Sequence, residues 1–220
     1  MCYLLLMKSI LIALIGSLSL TTGAFAQSGE DVYGTFDVQF QAITTQGVVL
    51  GCHLNYKSII QDFAYNQGAP YAVFGNMGIS ISENKRNLVV GTKVITNQMN
   101  LKNPNAPLIP AKPYFAYLQS PSGVNNAKSF IKGMDSDTQG GIFSVFNFDD
   151  SFVEIYKQIL EKKTVSIVFN RKKNAQDIVV PIDLTVVSTN NKGIRTKSDK
   201  MVNDFGQCVS GLLREVAKNK

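Results

Sequence analysis

The chain has 220 residues, 45% hydrophobic and 17% charged, with 10% aromatic residues, no Trp and a mean hydropathy of +0.02. That balance excludes a disordered chain, a collagen-like polymer and a polytopic membrane protein, and leaves one globular domain or at most two small ones. Three Cys are too few for a disulfide scaffold, a single His narrows the catalytic menu, and a net charge of +6 spread along the chain is no nucleic-acid footprint.

Residues 1–26 carry one charge, Lys8, then the apolar run Ile10 to Leu20 and the triplet Ala24-Phe25-Ala26 before Gln27. A basic start, a short apolar core and an A-x-A site are the layout of a secretory signal peptide, and the core is too short to span a hydrocarbon layer about 30 Å thick. The expected organisation is a cleaved leader over 1–26 and a single exported β-rich domain over 27–220, periplasmic or extracellular, with no transmembrane segment after cleavage. Only Cys52 and Cys208 remain in that domain. An exported pair oxidises, so a Cys52–Cys208 disulfide is expected.

The first half of the domain reads as strands. Val32, Gly34, Phe36, Val38, Phe40 and Ala42 alternate with polar residues, as in a half-buried strand. Thr44 to Gly47 turn the chain into a second strand with Val48, Leu50, Cys52, Leu54 and Tyr56 on its apolar face, which points His53 and Asn55 away from the core. A polar stretch from Gln61 to Pro70 interrupts. A third strand carries Tyr71, Val73, Gly75, Met77, Ile79 and Ile81 on one face, and a fourth runs from Leu88 to Ile95.

Between Thr96 and Pro113 the alternation stops in a run of Asn and Pro. A connection this long inside a compact domain is commonly functional. Asn100, Asn103, Asn105 and the flanking Tyr114 are the candidate binding residues. Tyr114 to Leu118 reads as a short strand, with Tyr114 and Phe115 on opposite faces so that one of them is core. Gly133 to Gly141 reads as irregular and Ile142 to Phe148 as a strand. Ser151 and Glu154 fit a capping box, opening a helix with Phe152, Ile155, Tyr156, Ile159 and Leu160 on one face.

Val165 to Phe169 and Ile178 to Val187 read as a hairpin around the basic tip Arg171-Lys172-Lys173, taken as a solvated turn. Pro181 places the second arm at an edge or a bulge. A final helix from near Ser198 carries Met201, Val202, Phe205, Cys208, Val209, Leu212, Leu213 and Val216 as an apolar stripe. The expected fold class is α+β and β-rich: an antiparallel sheet or sandwich of about seven or eight strands with an internal helix and a C-terminal amphipathic helix packed on it.

The search for chemistry is mostly negative. Cys52 and His53 are adjacent on a strand and point to opposite faces, so they form no nucleophile–base pair. No zinc cluster, phosphate loop or dinucleotide fingerprint occurs, and no catalytic residue, metal site or cofactor is assigned. Asp135 to Gly140 resembles the start of a calcium loop, but Phe146 stands where a bidentate Glu is required. The expected function is an exported, non-catalytic binding or assembly protein whose partner is another envelope protein or an envelope polymer, not nucleic acid. The alternative is a carboxylate-dependent hydrolase of a cell-wall or other polymer, using the acidic group Asp135, Asp137, Asp149, Asp150 and Glu154.

Overall fold

A computed structural model describes residues 32–82, 87–100, 102–103 and 105–218. The leader read from 1–26, and its cleavage before Gln27, lie outside these residues. The described chain is α+β and β-rich, in the order β1 (Gly34–Thr45), β2 (Val48–Asp62), β3 (Ala69–Ile81), β4 (Leu88–Gln98), β5 (Ile109–Pro110), β6 (Phe115–Gln119), β7 (Phe130–Asp135), β8 (Gly141–Asn147), α1 (Asp150–Lys162), β9 (Thr164–Asn170), β10 (Ile178–Asp183), β11 (Val186–Thr189), β12 (Arg195–Lys197) and α2 (Lys200–Lys218). A large antiparallel sheet runs β1-β2-β3-β4-β8-β7, with β5 on the end of β4; a second sheet runs β10-β9-β6, and β11 pairs with β12.

Two adjacent rows of residues show how the large sheet divides inside from outside. Ala42, Cys52, Ile79, Val90, Phe146 and Phe130 stand opposite one another across all six main strands, as do Gln41, His53, Gly78, Gly91, Val145 and Lys132 one residue along. Successive residues of a strand point to opposite faces, so the first row looks inward and the second outward. The small sheet runs across the inner face, with β10 against β1 and β2 and β6 against β4 and β8, while α2 lies on β1, β2 and β3. Leu54, Met77, Val94 and Phe146 thus meet Ile167, Phe169, Val180 and Ile182 in one core with both helices.

Both helices bury most of the face their spacing predicts, although Leu160, expected on that face of α1, is 37% exposed. On α1 the buried residues are Phe152, Ile155 and Ile159; on α2, Val202, Phe205, Val209, Leu212 and Val216. Leu213 departs from the expected stripe and is 42% exposed, because it lies beyond the arc set by positions 202, 205, 209, 212 and 216. The Cys52–Cys208 disulfide ties α2 to β2 across 156 positions of sequence, with Cα atoms 5.9 Å apart.

Several local readings are corrected. In β1 a bulge at Phe36 breaks the alternation, so Thr35 and Val38 are buried where Gly34, Phe36 and Val38 were expected in line. The bulge is held from outside: the Thr35 hydroxyl accepts the Asp183 N–H at 2.9 Å, and Arg195 donates to the Thr35 carbonyl at 2.8 Å with its guanidinium over the Phe36 ring. β4 continues through Asn97 and Gln98, which pair with Pro110 and Ile109, so the connection read as irregular over 96–113 gives its first residues to β4 and two more to β5. The predicted arm from Ile178 to Val187 is two strands. The Asp183 carboxylate turns the chain between them by accepting from the Thr185 N–H and hydroxyl. Pro181 does lie on an edge strand, opposite Ser166.

The cap of α1 is Asp149 and not Ser151: its carboxylate accepts the N–H groups of Ser151 and Phe152 at 3.1 and 3.3 Å and the hydroxyls of Ser129 and Ser151. Glu154 instead accepts from Gln158. Burial pushes the Asp149 carboxyl up, but these hydrogen bonds outweigh it and hold it below the ordinary carboxylate value; Asp183, bonded to Lys197 and Thr185, is lowered in the same way. A carboxylate with a depressed pKa in the folded state contributes stability above its unfolded pKa of about 4, and that contribution is lost as pH falls through the folded value. Chemical denaturation between neutral pH and pH about 3 should therefore show a decline in stability that is smaller in Asp149→Asn. Equal declines in the two proteins would remove Asp149 from the account.

Candidate functional site

The edge strand β7 is missed by sequence reading, which leaves Gly133 to Gly141 irregular. Strand patterns are visible when one face is buried, and all six residues of β7 are exposed. A bulge at Ile131 removes what alternation remains. Phe130, Ile131 and Met134 are 42%, 46% and 46% exposed. They stand on the last strand of the large sheet, whose far side pairs with nothing among the described residues.

A groove lies along each face of this edge. On the inner side, a groove of about 470 Å³ is lined by Tyr114, Phe115, Phe130, Met134, Ile142 and Phe143, among others. Its apolar floor continues the core, since the Phe130 ring meets the rings of Phe115 and Phe146 edge-on, with centroids 5.1 and 5.8 Å away. On the outer side, a groove of about 500 Å³ is lined by His53, Ser80, Ile131, Lys132, Phe143 and Val145, among others. Met134 lines both.

The floor of the outer groove is low because Gly78 and Gly91 sit side by side on β3 and β4. The ring of His53 lies over Gly78, and the ring of Phe143 over Gly91. A Cβ on Gly78 would stand 2.2 Å from the imidazole and 2.5 Å from the Cys52 carbonyl oxygen. Gly78→Ala should therefore cost about 1–3 kcal/mol, the usual penalty of overpacking, read from the midpoint of urea unfolding. An unchanged midpoint would show that the groove floor has slack.

His53 faces away from the core as its strand position requires, yet it is half-buried, and burial lowers its pKa. Its Nε2 lies 3.3 Å from the Ser80 hydroxyl. This contact pairs a hydroxyl with a base, a combination the sequence hides because the two residues are on different strands. Ser80 sits near the end of β3 but between two paired strands, flanked by Gly51 on β2 and Val89 on β4, so the neighbouring backbone N–H groups serve the ladder and not an oxyanion. The geometry is that of an aromatic ring covering a strand glycine.

Of the expected binding residues, only Tyr114 reaches a groove. It is 56% exposed, while Phe115 packs toward the core and Tyr117 donates its hydroxyl to Asp177 at 2.8 Å. Burial, followed by that carboxylate, pushes the Tyr117 phenol up to about 12. Asn100 and Asn103 are exposed, and their side-chain oxygens accept N–H groups of their own loop, from Lys102 and Asn103 and from Asn105 respectively. Asn105 is also exposed. None of the three asparagines lines either groove.

The acidic group does not converge. Asp135 pairs with Lys112 and Asp137 with Lys93, each at 2.5 Å, and the Lys93 ammonium with Ser136 and Thr138 lowers the Asp137 carboxyl to about 2. Asp149 caps α1, Asp150 lies in its first turn and Glu154 bonds Gln158. Among the described residues no cluster of three or more His, Cys, Asp or Glu is placed to hold a metal ion.

The basic tip is also corrected. Lys172 and Lys173 are exposed, but Arg171 turns inward, its guanidinium 5.7 and 5.6 Å from the ring centroids of Tyr65 and Tyr71 and 4.0 Å from a carboxylate oxygen of the fully buried Asp62. It answers a buried charge and is not a free cation. No protein-family profile, no curated protein and no solved structure matches the chain.

Proposed function

We propose that this chain is an exported, non-catalytic binding protein that captures an extended polypeptide segment by strand addition at β7. One observation carries the reading: an edge strand of six exposed residues, three of them large and apolar, with a groove on each of its faces, the outer one mainly apolar and the inner one mixing aromatic rings with Lys112 and Asp135. An added strand takes its main-chain hydrogen bonds from the edge and sends alternate side chains to the two faces of the sheet, where such grooves receive them. Free apolar edges are aggregation sites unless they are used or guarded. Tyr114 contributes to the inner groove as an aromatic anchor, and the partner is another protein of the envelope or the extracellular space. The engagement of Asp135 and Asp137 by lysines, of Asp149 by serines and of Glu154 by Gln158 favours this reading over a hydrolase.

Short peptides selected for binding to the domain 27–220 provide the test. Ile131→Asp and Met134→Asp alter exposed side chains, so each should change stability by less than about 0.5 kcal/mol while abolishing peptide binding. Replacing 99–108 by a Gly/Ser linker should leave binding intact. Binding that survives both β7 substitutions and is lost with the loop would overturn strand addition and return the site to Asn100, Asn103 and Asn105.

A further inference from the structure

The edge β7 carries two cations that nothing described neutralises. Lys128, in the short 3-10 turn Ala127–Ser129 that leads into β7, and Lys132, on the strand, are both exposed, and neither forms an ion pair with a described residue. Their neighbours differ. Lys112 and Lys93 hold Asp135 and Asp137, so the acidic side chains of this corner are already engaged. Lys132 closes the outward row opposite Val145 and lines the outer groove with Ile131 and Met134.

From this arrangement we infer that the segment accepted by β7 is acidic as well as apolar: an extended stretch of another protein whose carboxylates meet Lys132 and Lys128 while its apolar side chains enter the grooves. The inference rests on the strand-addition reading. The same residues argue against a second copy of this chain as the occupant. Two β7 edges laid antiparallel about their centres set Lys132 against Gly133 and Ile131 against Met134, so a second copy brings no carboxylate opposite Lys132. The bulge at Ile131 further spoils the match of one β7 with another. A partner strand that places a carboxylate opposite Lys132 supplies an attraction that a second β7 lacks in that register, so the lysine acts as a selector and not only as a guard.

Three synthetic peptides test this, with the same alternating apolar pattern and with Glu, Gln or Lys at every polar position. Titrated into the oxidised domain, the Glu peptide should bind several-fold more tightly than the Gln peptide, and the Lys peptide most weakly. The Glu advantage should shrink as salt is raised. Lys132→Gln and Lys128→Gln should each weaken the Glu peptide by about two- to five-fold, the range of exposed ion pairs, and leave the Gln peptide unchanged. Equal affinity for the Glu and Gln peptides, with both lost in Ile131→Asp, would overturn the acidic partner and leave strand addition standing. A concentration-dependent dimer abolished by Ile131→Asp would identify a second copy as the occupant and overturn the inference. Failure of all three peptides to bind would overturn strand addition itself.

Discussion

Replacing Cys208 by Ser is expected to lower the free energy of unfolding by about 2–5 kcal/mol, the usual cost of removing a native disulfide. The expectation follows from topology. Cys52 is fully buried on β2, near the N-terminal edge of the sheet, and Cys208 is in the middle of the last helix, 156 positions later. In the chain-entropy treatment a loop of this length restricts the unfolded ensemble by about 5 kcal/mol, from which native strain subtracts. The loop encloses everything between β2 and α2, so reduction should loosen α2 without disturbing local pairing in the β1–β4 meander. Denaturant unfolding of the oxidised, reduced and Cys208→Ser proteins measures this. Ready alkylation of both thiols without reductant would show that α2 is held by packing alone.

Packing gives the second large effect. Phe205 is 1% exposed on α2, and its ring stands edge-on to Tyr156 of α1 with centroids 6.0 Å apart. Truncating such a ring removes buried area and leaves a cavity between two helices and a sheet, so Phe205→Ala should cost about 3–5 kcal/mol. Leu213, on the same helix but exposed, supplies the control: Leu213→Ala should stay within about 0.5 kcal/mol. Similar losses for the two variants would mean that α2 packs with a different face. Deleting the chain after Ser198 should leave an aggregating product, because Val202, Phe205, Val209, Leu212 and Val216 all cover the inner face of β1, β2 and β3.

The parts of the fold that were legible in the sequence are those with one wet and one dry face. Tyr71, Val73, Met77 and Ile79 alternate cleanly because helix and small sheet cover only one side of β3, and the α2 stripe is clear for the same reason. The disulfide was legible from the number of cysteines and the export expected from the leader pattern. The β1 bulge was not, because its cause is remote: Asp183 and Arg195 hold Thr35 and Phe36 from strands far along the chain. Arg171 looked like part of a solvated tip because its partners, Asp62, Tyr65 and Tyr71, precede it by most of a sheet. Ser151 and Asp149 are both good caps, and only the backbone decides between them.

The candidate site was the least legible element, for a related reason. A strand exposed on both faces and interrupted by a bulge has no period to detect, so Phe130 to Asp135 carries no strand signature. Tyr114 was identified by its aromatic character beside a breaker-rich loop, but the groove that makes it useful is built by β7 and β8. His53 was placed on the correct face by strand parity. Its partial burial depends on Gly78, which lies opposite it on another strand.

Amide hydrogen exchange across the described chain, with and without the Glu peptide, tests strand addition most directly. In the free protein the amides of β7 that face away from β8 have no ladder partner and should exchange fast. On binding, protection should appear in Phe130 to Asp135, with smaller changes at Tyr114 and around Phe143 where the grooves close over the added side chains. Protection confined to 99–108, or to the surface between α2 and the β1–β2 turn, with β7 exchanging as before, would contradict it.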